Sequence, residues 1–206
     1  MRKFLVFFFI FLSFFNHLQS KEVINCNYFT EKYGKKFNIP NKLLTSISLV
    51  ESGVKKGDKF VSWPWTLNVA GKSKYFKNKE QTLVFIKKNL SKVNKIDVGC
   101  MQINLKYHGQ EFKNFEHVLD PESNVKYAAK HLRELFGRYK TWNEAVSRYH
   151  SSKPLRKKRY LNKVHSFWAE LRQKKFKVES QSKFIEKQKI EFFKDQFKKQ
   201  RILSES

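Results

Sequence analysis

Phe29, Tyr33 and Phe37 recur every four residues, which predicts a short amphipathic helix interrupted by Gly34. Asn38-Ile39-Pro40 stops it. A second helix is predicted over Asn41–Ser52, with Leu43, Leu44, Ile47 and Val50 on one face and Gly53 as its stop. From Trp63 to Phe76, alternating Leu67, Val69 and Tyr75 around Ala70-Gly71-Lys72 predict a small β-hairpin. Leu83, Ile86, Leu90 and Val93 predict a helix over Asn78–Val93, and Val98–Leu105 is a compact apolar segment enclosing Gln102 and Asn104. Asp120-Pro121 opens the strongest helical pattern, running from Val125 through Ala128, Ala129, Leu132 and Leu135 to Gly137. Shorter helices follow at Trp142–Tyr149 and Tyr160–Leu171. Beyond Lys174 there is no Gly or Pro and apolar residues thin out, although Ile190, Phe193 and Phe197 can stripe a lone helix. The pattern predicts a compact, mostly α domain over 21–174 with one small β-hairpin. A basic C-terminal tail over 175–206 is either helical or disordered.

The first twenty residues read differently. Arg2-Lys3 precede an apolar run from Phe4 to Phe15 broken by Ser13, then a polar stretch ending at Ser20. This is the pattern of a secretory signal peptide, and about twelve residues is short of the roughly 20 that a spanning helix needs. The expectation is an exported, periplasmic protein. In that setting Cys26 and Cys100 are either joined by a disulfide or two buried thiols.

The 206 residues carry 43 Lys+Arg against 18 Asp+Glu, a formal charge of +25. Such a chain seeks polyanions. Outside the cytoplasm nucleic acid drops in rank and an acidic wall polymer rises; base-composition bias is the alternative source of the charge. The tail reads as a solvated extension or as an anchor on anionic glycan or membrane. Seven Gly and four Pro exclude a collagenous chain, and two Cys exclude a four-cysteine zinc site. His108, His117, His131 and His165 lack i, i+4 spacing with a nearby Glu, so no metal site is indicated. No phosphate-cradling glycine loop or dinucleotide fingerprint occurs, and no cofactor is implied.

One carboxylate stands out. On a helical wheel Glu51 falls inside the apolar arc of Leu43, Leu44, Ile47 and Val50. Desolvation there raises a carboxyl pKa toward what a general acid requires, unless Glu51 sits at a frayed end and reaches water.

Its neighbours bear on the choice. Leu49-Val50-Glu51-Ser52-Gly53, then Asp97-Val98-Gly99-Cys100-Met101-Gln102-Ile103-Asn104, then Asn124-Val125-Lys126-Tyr127-Ala128-Ala129, then Ala145-Val146-Ser147-Arg148-Tyr149-His150 form four blocks. In content and order they resemble the lytic transglycosylases of the soluble-transglycosylase (SLT) domain family, over about residues 38–165. The resemblance implies a lysozyme-like α+β fold with a groove for peptidoglycan strands. It also implies non-hydrolytic cleavage of the MurNAc-β-1,4-GlcNAc bond to a 1,6-anhydro end, with Glu51 as acid and then base. Tyr149 would hydrogen-bond that carboxylate, and Gln102, Ser52 and His150 would contact substrate; Met101 would either line the sugar-binding floor or pack in the core, and Asn124 would position a helix. A secretion or conjugation machine is an implied partner where wall opening serves assembly.

Cys100, His150 and Ser151-Ser152 depart from the family's usual Leu, Asn and Ala-Gly. The inserted Trp63-Pro64-Trp65 is expected either to stack on sugar rings or to cover the core. Two rivals remain: a hydrolytic lysozyme, and a catalytically idle wall-binding module. A lysozyme would draw its second carboxylate from Asp97, Glu111, Glu116 or Asp120, all expected in loops or turns.

Overall fold

The computed structural model describes residues 26–89 and 95–204. The expected leader over 1–20, and Leu90 and Val93 of the expected third helix, lie outside them. Ten-residue α2 (Leu43–Ser52) runs through the centre with eight residues buried, so it meets neighbours on every side. Around it lie α1 (Cys26–Lys36), α6 (Pro121–Tyr139), α7 (Trp142–His150) and α8 (Pro154–Ser204); α2 packs on α1 and α8, and α6 on α1 and α7. Asp120 caps α6 by accepting from Ser123 N at 2.9 Å, with Pro121 at the first helical position. Gly137 does not end this helix, which continues to Tyr139 and closes on Lys140 in the left-handed region. Helix α3 (Lys79–Asn89) and the short helices α4 (Leu105–His108) and α5 (Phe115–Leu119) complete the set among the described residues.

Two small antiparallel sheets flank α2. The expected hairpin is present as β3 (Thr66–Val69) and β4 (Lys72–Tyr75), turning through Ala70 and Gly71, both at positive φ. It is extended by β5 (Ile96–Val98) and β6 (Ile103–Asn104), in the order β4-β3-β5-β6. A second hairpin, β1 (Gly53–Lys56) with β2 (Lys59–Ser62), was not legible in the sequence. Its strands are largely exposed and polar, so they show no alternation. Gly53 is required there because a Cβ would lie 2.2 Å from the backbone oxygen of Leu49 and 2.3 Å from the Phe60 ring. Phe60 in turn stacks on Phe167 of α8 at 5.5 Å.

The aromatic insertion covers the core. Trp65 is buried, and Trp63 donates its indole N–H to Phe76 O at 2.8 Å while Lys56 lies over its ring. Trp65 thus has no face open to a sugar, and Lys56 covers one face of Trp63. Cys26 and Cys100 are joined by a disulfide, tying α1 to the segment between β5 and β6. The expected 160–171 helix and the tail are one helix, α8. It is packed on α2 and α7 in its first part, and its side chains are exposed from Arg172 through Glu191. Among the described residues no helix is long and apolar enough to cross a membrane.

Candidate active site

Glu51 occupies the last turn of α2, at the edge of a groove of about 610 Å³. The groove is bounded by β5–β6, the start of α8, and side chains of α6 and α7. The Glu51 carboxyl is partly buried and accepts a hydrogen bond from Tyr160 Oη at 2.6 Å. Burial raises its pKa to about 7; the Tyr160 hydrogen bond works against the rise and the negative Asp97 adds to it. The group therefore interconverts between acid and base near neutrality, as the helical wheel anticipated.

Tyr160 was legible only as a core residue, since it shares the apolar face of its helix with Val164, Phe167 and Trp168. The one available signal was that a buried phenol needs a partner. The hydrogen bond expected from Tyr149 is not made. Tyr149 lines the groove, but its hydroxyl donates to Met101 O at 2.8 Å. His150 also lines the groove and lies parallel to the Tyr160 ring, 4.4 Å between centroids.

Gln102 reaches the groove from a left-handed backbone position, with its amide nitrogen donating to Gly99 O at 3.0 Å and Thr66 O at 3.1 Å. Ser52 and Met101, expected at the substrate, are fully buried. Ser52 Oγ donates to Cys100 O at 2.8 Å, and Met101 packs in the core. The reason is common to both: they hold the turn between β5 and β6 against α2.

That turn gathers all four sequence blocks. Gly99 has φ +82°, and a Cβ on it would stand 2.6 Å from Asn124 Nδ2. Asn124, fully buried, accepts from Met101 N at 2.9 Å and donates to Val98 O and Val118 O. Ser48 and Ser52 of α2 both donate to Cys100 O. Most of the motif thus builds the wall of the site, not its chemistry.

Asp97 departs from its expected loop setting. It sits on β5 in the groove with Glu51, accepting from Asn104 Nδ2 at 2.5 Å, and burial raises its pKa. The other three candidates lie outside the groove: Glu116 pairs with Lys87 at 2.9 Å, Asp120 caps α6, and Glu111 is exposed on a 3-10 turn.

The far end of the groove holds a cluster that sequence reasoning overlooked. Tyr127 Oη lies 2.8 Å from His108 Nδ1, and His131 stacks parallel to Tyr127. Burial lowers both histidine pKa values, favouring neutral rings that donate and accept hydrogen bonds to uncharged hydroxyls. Their signal was the pair Tyr127 and His131 at i, i+4 on the flank of α6. Among the described residues no three His, Cys, Asp or Glu side chains converge to hold a metal ion.

A family model described as the transglycosylase SLT domain matches residues 28–168. No curated protein and no solved structure matches the chain.

Proposed function

The chain belongs to the transglycosylase SLT family, whose activity on peptidoglycan is of the lytic-transglycosylase type, and on that premise we propose that Glu51 is its single general acid and base. Glu51 protonates the glycosidic oxygen of the MurNAc-β-1,4-GlcNAc bond as the C1–O4 bond breaks. The resulting carboxylate then takes the proton of the muramyl C6 hydroxyl while O6 bonds to C1. The substrate's N-acetyl group stabilises the intervening positive centre. No water enters, and the product ends in a 1,6-anhydro sugar. The observation that carries this reading is one carboxyl with its pKa near 7, held by a tyrosine in the wall of the groove. Tyr160 steadies the anion between the two proton transfers; Gln102, Tyr149 and His150 line the sugar-binding walls.

Asp97 supports a second reading, a hydrolase in which it would serve beside Glu51. Replacement separates the roles. Glu51→Gln should lower release of muropeptides from sacculi by at least about a thousandfold while wall binding persists. Asp97→Asn should retain more than a tenth of the activity if Glu51 acts alone. Loss of activity in Asp97→Asn equal to that in Glu51→Gln would favour the hydrolase, and activity surviving in Glu51→Gln would sink both readings.

The site of action we propose is the periplasm, reached through the leader at 1–20. The basic α8 extension would attract the chain to anionic wall or membrane surface, and cleavage there would serve wall turnover or a secretion or conjugation machine.

A further inference from the structure

The groove is lined by four cations with no established task. Lys95 precedes β5, and Arg156, Arg159 and Lys163 come from the start of α8. On α8 they stand at i, i+3 and i+7 with Tyr160 at i+4, so they share the face that delivers Tyr160 to Glu51.

Their freedom contrasts with their neighbours. Arg148 and Lys157 are both held by Glu144, at 2.9 and 2.7 Å. Among the described residues Lys95, Arg156, Arg159 and Lys163 form no ion pair. Lys95 acts electrostatically on Asp97, which among the described residues is the one other carboxylate that shares the groove with Glu51. Arg156, Lys163 and Lys95 also converge on His150, whose pKa is lowered by burial and then by these three charges. A positive field therefore surrounds the imidazole that stacks on Tyr160.

The glycan backbone itself is neutral, so it can accept hydrogen bonds from these side chains but offers no opposite charge to four unpaired cations. On the muramyl unit the carboxylates hang from the lactyl arm, either as the free acid or on its peptide stem. Resting on the reading of this groove as a peptidoglycan site, we propose that Lys95, Arg156, Arg159 and Lys163 form a carboxylate subsite that takes the acidic groups of the lactyl arm. The enzyme would thereby select muramyl units by charge beside the scissile bond.

The full chain is assayed on stem-bearing glycan strands and on strands stripped of their stems, and its binding to a neutral chitooligosaccharide is measured alongside. A variant carrying Arg156→Gln, Arg159→Gln and Lys163→Gln should raise KM for a carboxylate-bearing strand about tenfold or more, with kcat within about twofold. Its affinity for the chitooligosaccharide should not change. A rise confined to stem-bearing strands assigns the ligand to the stem; a rise on stripped strands as well assigns it to the lactyl carboxylate. The charge-keeping variant Arg156→Lys, Arg159→Lys, Lys163→Arg should restore KM to within about threefold. Removing equal charge away from both the groove and the α8 extension, with Lys35→Gln, Lys36→Gln and Lys88→Gln, all exposed, should leave KM unchanged.

Unchanged KM in the groove variant overturns the proposal, as does an equal loss of chitooligosaccharide affinity or an equal effect of the remote charges. Failure of the parent reading looks different: the unaltered protein would cleave neither strand. Binding isotherms would then still test the carboxylate subsite, through the affinity of stem-bearing over neutral glycan.

Discussion

Glu51 is a carboxyl whose folded pKa lies above its unfolded one, and two pH effects follow with fixed signs. Activity that needs the protonated acid should fall as pH rises through about 7. Tyr160→Phe removes the hydrogen bond that lowers this pKa, so its alkaline limb should move to higher pH; Asp97→Asn removes a charge that raises it, so that limb should move lower. Both shifts are read from kcat/KM profiles, and movement of either limb in the opposite sense would contradict the electrostatic account. Stability follows the same linkage. The Glu51 contribution is fully present below the unfolded pKa and is lost as pH rises through about 7. Glu51→Gln should therefore match the parent in urea denaturation near pH 4 and exceed it at pH 8, by on the order of 2 kcal/mol. Glu51 was legible because a helical wheel sees a carboxylate among leucines. Tyr160 was not, and Asp97 stood only as one of four candidate second carboxylates: a phenol on an apolar stripe reads as packing, and a lone Asp before a motif reads as a turn. Which of them faces Glu51 is set by the crossing of α2, β5 and α8, which sequence periodicity does not encode.

The turn between β5 and β6 is where the motif blocks become structure. Asn124 supplies three buried hydrogen bonds to it and its surroundings, so Asn124→Ala should orphan Met101 N and two carbonyls and cost about 2–4 kcal/mol of stability. Gly99→Ala combines left-handed strain with a contact on Asn124, and should cost at least about 1–3 kcal/mol. A loss below about 0.5 kcal/mol in either, by chemical denaturation, would show that the turn is not held as described. Breaking the disulfide with Cys26→Ser and Cys100→Ser reopens a loop of 74-residue separation and should cost roughly 3–5 kcal/mol. At this scale the longer helices and the β3–β4 hairpin were legible, since each has its own period or turn signal, whereas α4 and α5 are too short to show one. The roles of Ser52 and Met101 were not. A motif states which residues occur together; here both serve the backbone of the turn, and only the fold separates support from contact.

Across the whole molecule, a compact SLT domain continues without a break into an exposed basic helix. Phe176 is 72% exposed and Phe184 61%, and Lys175, Lys177, Lys183, Lys187 and Lys189 accompany them. Since α8 packs on the core through its first part, truncation after Lys174 should leave turnover of soluble glycan within about twofold. Binding to sacculi should weaken at low salt and converge with the full chain at high salt, because exposed charges are screened within about 10 Å at 0.1 M. Equal binding at both salts would remove the helix from wall attachment. The charge of the tail was legible in composition; its continuity with the domain was not, because polar residues of good helix propensity carry no packing signal. The central claim is that one carboxyl performs both proton transfers without water, and the masses of the soluble products from purified sacculi test it most directly. Muropeptides ending in 1,6-anhydro sugar, one water lighter than reducing-end products, are the result expected. Reducing ends that incorporate oxygen from labelled water would contradict it, and would move Asp97 from bystander to partner of Glu51.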